Sequence, residues 1–339
     1  MADKAFFIGG PGTLSASAIQ GALERGYQVG VFSSGGHFDE LPPGVKTYRG
    51  QRNNLSALRA ALEDFHPDVA IDFICFTPEE AQQDLELFTS RVRQFIFIST
   101  VDVYGYPLAR LPFHEDDPWR AELQSSYAQN KRLCEEILRP RFHPTHFPLT
   151  IVRPAYAFGP RFILSFMSRA QGVHMLRRLQ TGRPVLVPGD GTTLMHVGSA
   201  YNTGKMIAAL LDFPPAIGKD YTCGHPTFTT HDGYVQLFAT ALGVQPNIVH
   251  IPTDQVAAIE HPEIRGCLLH ALTRFNVAFS IDRFLRDLPL FRWEYTLEDW
   301  AREVVEWNIR NKRLETADEP ILDDAIVKAF QQAIGELSI

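Results

Sequence analysis

The sequence predicts an α/β fold built on a doubly wound parallel sheet, with a smaller C-terminal α/β region beside it. Three observations predict this. Short apolar runs alternate with helical periodicity through the first half of the chain. A glycine-rich turn, Gly9-Gly10-Pro11-Gly12, joins the first apolar run to the first helical pattern. Beyond Pro160 the texture shifts to longer loops with more proline and glycine.

Ala5-Phe6-Phe7-Ile8 is a short apolar run ending in glycines, as a strand buried on both faces requires. Residues 14–25 space Ile19, Ala22 and Leu23 along one helical face, and Gly26 stops the pattern. Strands are predicted over residues 27–32, 68–74, 94–99 and 149–153, and helices over 55–65, 79–92 and 125–138. This alternation predicts right-handed crossovers with helices on both sheet faces, a Rossmann-like architecture. Further on, residues 172–182 read as a basic helix, 184–187 as a short strand, Gly189-Asp190-Gly191 as a turn, and 199–211 as a helix. Residues 285–293 read as a proline-interrupted loop, 296–311 as a helix with two tryptophans, and 323–337 as a last amphipathic helix. The expected organisation is a nucleotide-binding domain over 1–160 with returning segments near 192–225. A substrate-binding region over 161–191 and 226–311 and a helical extension over 312–339 complete it.

The 339 residues are 45% hydrophobic and 21% charged, enough apolar material for a substantial core. The net charge of −7 gives no electrostatic support to nucleic-acid binding. Cys75, Cys134, Cys223 and Cys267 are scattered without a C-x-x-C pair, which favours reduced thiols over disulfides or zinc. His143 and His146 lack acidic partners and i,i+4 spacing, so no metal site is expected. The first residues enter a strand at once, and no apolar run is long enough to span a bilayer, so a cytoplasmic protein without membrane attachment is expected.

Tyr127-Ala-Gln-Asn-Lys131 places a phenol and an ammonium one helical turn apart. Opposite charge favours the ionised phenol, moving its pKa from ~10 toward neutrality. Thr100, after the strand at 94–99, supplies a hydroxyl for the same substrate oxygen. The glycine turn lets the backbone approach a pyrophosphate, and the helix beginning near Thr13-Leu14 offers unpaired N–H groups and a positive dipole end. Ser15 stands where a third glycine often sits. The second strand ends in Ser33-Ser34, where an acid would select NAD. Either serine can bond the adenosine ribose or face a 2′-phosphate; with no neighbouring Arg or Lys in the sequence, NAD is favoured and NADP stays open. Phe76 follows the strand over 68–74, where a loop borders the cofactor, though packing is its default role.

These motifs, together with Ile96-Phe97-Ile98-Ser99-Thr100-Val101-Asp102-Val103-Tyr104-Gly105, Arg153-Pro154-Ala155-Tyr156-Ala157-Phe158-Gly159-Pro160 and Pro188-Gly189-Asp190-Gly191, resemble an extended short-chain dehydrogenase/reductase of the NAD-dependent epimerase/dehydratase family. The resemblance runs to about Asn311. It implies Tyr127 as base or acid, Thr100 as hydrogen-bond partner of the reacting oxygen, and Lys131 as support for the nicotinamide ribose. Gly9, Gly12, Thr13, Leu14, Ser99, Pro154 and Tyr156 are implied as cofactor contacts. Weaker substrate candidates are Asp102, Tyr156, Arg161 and His196. The implied reaction is oxidation of a secondary hydroxyl on a sugar or sugar-like substrate, nucleotide-linked or free, as epimerase or dehydrogenase. A homodimer through the helices over 79–92 and 125–138 is implied as well.

Departures from the family pattern are specific. Dehydratases carry an Asp-Glu pair after the threonine, where this chain has Val101 and Asp102, the latter read as a solvated loop carboxylate. An arginine that clamps a diphosphate is replaced by Leu194-Met195-His196; Arg161, Arg169, Arg177 or Arg178 are candidate substitutes or merely a basic face. Gln51 stands where relatives have an aspartate near the adenine. His196 is weighed toward a structural role. A second class of function, a non-catalytic nucleotide sensor or RNA-binding relative, is opposed by the intact Thr100/Tyr127/Lys131 set and the acidic balance.

Overall fold

A computed structural model describes residues 2–166, 172–315 and 321–336. In chain order the first half contains β1 (Lys4–Ile8), α1 (Ser15–Glu24), β2 (Gln28–Ser33), β3 (Lys46–Arg49), α2 (Leu55–Phe65), β4 (Val69–Asp72), α3 (Pro78–Phe88), β5 (Gln94–Ile98), α4 (Ser126–Leu138) and β6 (Leu149–Pro154). Then follow β7 (Tyr156–Phe158), α5 (Gly172–Thr181), β8 (Val185–Pro188), β9 (Leu194–Met195), β10 (Val197–Ser199), α6 (Ala200–Ala209) and β11 (Asp220–Cys223). The next elements are β12 (Thr229–Thr230), α7 (His231–Leu242) and β13 (Ile248–Ile251).

The main sheet has seven parallel strands in the order β11-β6-β5-β4-β1-β2-β3. Helices cover both faces, so Phe6, Phe7, Ile8, Phe95, Ile96 and Phe97 have no solvent exposure. From β1 the chain winds outward to β2 and β3, then crosses to β4 on the other flank of β1. That reversal opens a crevice at the carboxyl ends of the strands. The turn after β1, the loop after β4 and the segment after β5 all end there.

β3 was not foreseen. Its residues Lys-Thr-Tyr-Arg are polar because it is the sheet edge, where charge discourages pairing with another chain. The helix expected over 79–92 ends at Phe88, and Ser90 turns with φ +60° to donate its N–H to His146 O. A short helix, Asp282–Asp287, runs into the segment expected to be loop.

The segment containing α6 and β11 returns to the nucleotide-binding half. A Cβ on Gly21 of α1 would lie 2.6 Å from Ala208 Cβ of α6, and a side chain at Gly204 would strike Ser17. Glycine at these two crossings lets the helix backbones approach. The second region is built on small sheets, β8 with β13, β9 with β12 and β10 with β7. Its core gathers Leu176, Leu179, Tyr234, Phe238 and Trp300. Trp300 belongs to helix Leu297–Arg310, which a Thr296–Asp299 capping box starts; its Nε1 donates to Phe158 O at 2.9 Å. That bond fixes β7 at the rim of the crevice. All four cysteines are buried and free. Among the described residues no helix is long and apolar enough to cross a membrane.

Candidate active site

A cleft of about 360 Å³ runs from the glycine turn to β7, lined by Gly9, Gly12, Thr13 and Leu14 at one end and by Pro154, Tyr156 and Phe158 at the other. Gly9 adopts φ +90°, and a Cβ there would lie 2.7 Å from Ile74 Cγ2. No side chain fits, so the backbone itself forms the wall a pyrophosphate would lie against. Ser15 is not a passive replacement for a third glycine: its Oγ accepts the Gly12 N–H at 2.8 Å and fixes the turn.

A second cavity of about 320 Å³ continues past Gly9 and Gly10 and holds Ser33, Ser34, His37, Gln51 and Arg52. It suits an adenosine. Arg52 is pinned from below, with Nε donating to Asp72 Oδ2 at 3.0 Å and Nη2 to Asp84 Oδ1 at 2.7 Å. The absence of a basic residue beside Ser33 in the sequence is corrected in space. The β2–β3 register sets Arg49 opposite Ser33; Arg49 Nη2 donates to Gly35 O at 3.4 Å, and its guanidinium lies 5.7 Å from the Phe38 ring centre. Among the described residues no carboxylate pairs with it.

Thr100, Tyr127 and Lys131 converge at the other end. Thr100 is 7% exposed, and its Oγ1 accepts the Asp102 N–H at 3.3 Å, which leaves the hydroxyl proton to donate elsewhere. Ser125 caps α4 by accepting the Ala128 N–H at 3.1 Å, so Tyr127 lies in the first helical turn. There the helix dipole adds about 0.3–1 kcal/mol in favour of negative charge. One turn on, Lys131 is 1% exposed and Nζ donates to Cys75 O and Ile98 O, both at 2.7 Å. Its third proton remains for a ligand. Burial lowers the Lys131 pKa below that of a free lysine. Phe76 is not core packing: its ring is 43% exposed, lies 4.7 Å from Lys131 Nζ and 6.4 Å from the Tyr127 ring, and borders both cavities. The Thr77–Glu80 capping box holds it there, because Glu80 Oε2 also accepts the Phe76 N–H at 2.6 Å.

Asp102, Ser99 and Arg161 depart from expectation, whereas His196 takes the structural role it was weighed toward. Asp102 is no solvated loop carboxylate: Oδ1 accepts from Tyr106 at 3.0 Å and from Tyr156 at 2.6 Å, inside the cleft. Burial first, then the Asp102 charge, pushes both phenols' pKa values well up. Ser99 lines the cleft, but its hydroxyl is spent on Glu135 Oε1 at 2.6 Å. Glu135 in turn takes Arg153 bidentately, and Arg153 Nη1 reaches Asp220 Oδ2 at 2.7 Å, a buried ionic network beneath the site. Arg161 lines none of these cavities; it is exposed, bonds Glu40 at 2.8 Å and packs on Trp307. His196 is fully buried, with Nδ1 accepting the Phe279 N–H at 3.1 Å and Nε2 2.7 Å from His225 O. Burial lowers its pKa to about 4, so it is a neutral structural residue. Arg178 is likewise buried, against Asp324 and Pro184 O, and Arg169 lies outside the described residues. Tyr106, Arg49 and Arg52 carry no sequence motif and were missed; the Thr-Pro-Glu-Glu signature that positions Phe76 was readable.

Fold and site together define a dinucleotide-binding α/β protein with a Thr/Tyr/Lys set at its crevice. A family model described as the NAD dependent epimerase/dehydratase family matches residues 5–224, and the chain belongs to that family. Among solved structures it is similar to dTDP-glucose 4,6-dehydratase from Bacillus anthracis in complex with NAD, at 17% identity and TM-score 0.72, covering 92% of this chain and 98% of that one. It is similar as well to UDP-glucose 4-epimerase from Thermotoga maritima with UDP-glucose, at 16% identity and TM-score 0.69, over 91% and 99% of the two chains. At these identities the likeness shows the fold. A relative by sequence is the mouse sterol-4-alpha-carboxylate 3-dehydrogenase, decarboxylating, 29% identical over 177 residues, 47% of each chain. The chain thus spans about half the length of that relative.

Proposed function

We propose that this chain is an NAD(H)-dependent oxidoreductase that removes hydrogen from a secondary alcohol on a ring, as dehydrogenase or as epimerase. One observation carries the reading: Thr100, Tyr127 and Lys131 line a single cleft with a glycine turn that no side chain could enter. NAD, when bound, supplies a hydride acceptor. The glycine turn and Leu14 would hold its pyrophosphate, Lys131 would donate its third N–H as a hydrogen bond to the ribose, and Phe76 and Pro154 would border the nicotinamide. Thr100 donates to the alcohol oxygen and orients it. Tyr127 takes the hydroxyl proton, favoured by the helix dipole and the ammonium one turn away. Tyr106 and Tyr156, whose ionisation is opposed by burial and by Asp102, stay neutral and orient rather than abstract.

The cyclic substrate follows the sugar expectation and is consistent with the sterol named for the mouse relative. Val101 leaves Asp102 alone where dehydratases have two acids, which favours oxidation over elimination. The cofactor is NAD, with Arg49 and Ser33 able to accept a 2′-phosphate in addition. Leu133, 44% exposed on α4, favours a homodimer through α3 and α4. Incubating the protein with NAD and cyclic alcohols, and following reduced nicotinamide at 340 nm, tests the reading. Net accumulation identifies a dehydrogenase; a new stereoisomer without accumulation identifies an epimerase. Neither outcome with any alcohol, alongside tight cofactor binding, points to the nucleotide sensor instead.

A further inference from the structure

Beside the cofactor cleft lies a cavity of about 310 Å³, and Asp102 and Tyr127 line both. Its far wall comes from the segment around the π-helical turn Leu269–Thr273, where Cys267, Leu268 and Leu272 face the space. Turns of this kind are rare and concentrate at functional sites. The near wall adds Tyr106, Gln124 and Ala128. Among the described residues no Lys, Arg or His lines it.

We propose that this cavity is the substrate chamber and that it takes an uncharged alcohol with an apolar body and a second hydroxyl, not a nucleotide-diphosphate sugar. The inference rests on the oxidoreductase reading above and names its substrate class. Asp102 is the polar feature that decides it. Both tyrosine hydroxyls converge on Oδ1, and Oδ2 has no donor among the described residues. An aspartate carboxylate accepts hydrogen bonds and donates none, so Oδ2 selects an O–H donor. The same charge repels a phosphate, and no cation among the described residues lining this cavity compensates. Of the residues suggested as diphosphate clamps, Arg161 pairs with Glu40, Arg177 bonds Gln180 and Arg178 pairs with Asp324, while Arg169 lies outside the described residues; His196, which stands in the clamp's place, bonds two backbone groups. The apolar wall rewards a hydrocarbon face at about 25 cal/mol per Å² buried. Tyr127, shared by the two cavities, puts the reacting hydroxyl at their junction, with the second hydroxyl on Asp102.

The test uses full-length protein saturated with NAD. Alicyclic diols (cyclohexane-1,2-diols, decalin diols and a hydroxysteroid diol), the matching mono-alcohols and UDP-glucose are titrated calorimetrically and assayed for nicotinamide reduction. The expected result is binding and Tyr127-dependent oxidation of at least one diol, at least ten-fold tighter than its mono-alcohol, and no binding of UDP-glucose below millimolar. Asp102→Asn keeps an acceptor for the two tyrosines and should cut the ratio of diol to mono-alcohol affinity at least ten-fold, whereas a merely structural Asp102 would lower both affinities together and leave their ratio in place. UDP-glucose binding at micromolar concentration, no binding of any diol, or a diol preference that survives Asp102→Asn overturns the proposal. If UDP-glucose is turned over and Tyr127→Phe stops it, the chamber assignment fails while the oxidoreductase reading stands. If diols bind but the native chain oxidises none of them, the oxidoreductase reading fails instead.

Discussion

Lys131 and Tyr127 are neighbours on one helix face yet sit in opposite surroundings, and the contrast is testable. Lys131 is 1% exposed and satisfies two buried carbonyls, whereas Tyr127 is 38% exposed. Lys131→Met strands both carbonyls, each at about 1–3 kcal/mol, so urea unfolding should show a loss of at least about 2 kcal/mol together with loss of turnover. Tyr127→Phe should move stability by no more than about 0.5 kcal/mol while lowering turnover by about 10²–10⁴. Arg49→Ala should weaken NADPH binding by at least about ten-fold and leave NADH unchanged, read by nicotinamide fluorescence; equal effects on both would remove Arg49 from the 2′-phosphate. The trio Thr100, Tyr127 and Lys131 was legible because its members sit at fixed spacings near a strand end and on one helix. Arg49 was not, because only strand register brings it to Ser33. Nor was the Asp102–Tyr106–Tyr156 cluster, because Tyr156 reaches Asp102 from 54 residues along the chain.

Among the elements, the apolar strands of the main sheet and helices α1, α2 and α4 were readable because burial on both faces, or on one helical stripe, writes itself into composition. β3 escaped because an edge strand needs no apolar run, and the small strands of the second region are too short to show a period. The α1–α6 contact lies beside the glycine turn, since a Cβ on Gly204 would meet Ser17 Oγ and Leu14 O, so Gly204→Val should lower the melting temperature and weaken NADH binding together. Retained cofactor affinity in a destabilised variant would show that the turn does not depend on that contact. Arg153 links α4, β6 and β11 with no exposure of its own. Burial pushes the Asp220 carboxyl up, but Arg153, Arg139 and Arg283 outweigh it and hold it at about 2. Removing one partner of such a network costs about 3–5 kcal/mol, the loss expected of Glu135→Ala in urea unfolding.

At the scale of the whole molecule, the crevice lies where two regions meet, and buried neutral groups hold that meeting. His196 packs on Phe279, and its pKa of about 4 lies below the ordinary 6.5. A depressed value means that the unfolded chain binds the proton first. The contribution of neutral His196 is therefore complete above pH 6.5 and fades as pH falls toward 4, by at most about 1.4 kcal/mol per unit. The stability gap between the native chain and His196→Gln should accordingly narrow between pH 7.5 and pH 5; a constant gap would show that His196 titrates normally. The central claim is that one face of the bound nicotinamide looks onto Thr100 and Tyr127. A crystal structure with NAD tests it most directly. The prediction is a nicotinamide C4 opening onto a space that Tyr127 Oη and Thr100 Oγ1 both border, with about 3–3.5 Å of room for a substrate carbon. A nicotinamide turned away from that space, or a Tyr127 ring swung out to solvent, would contradict it.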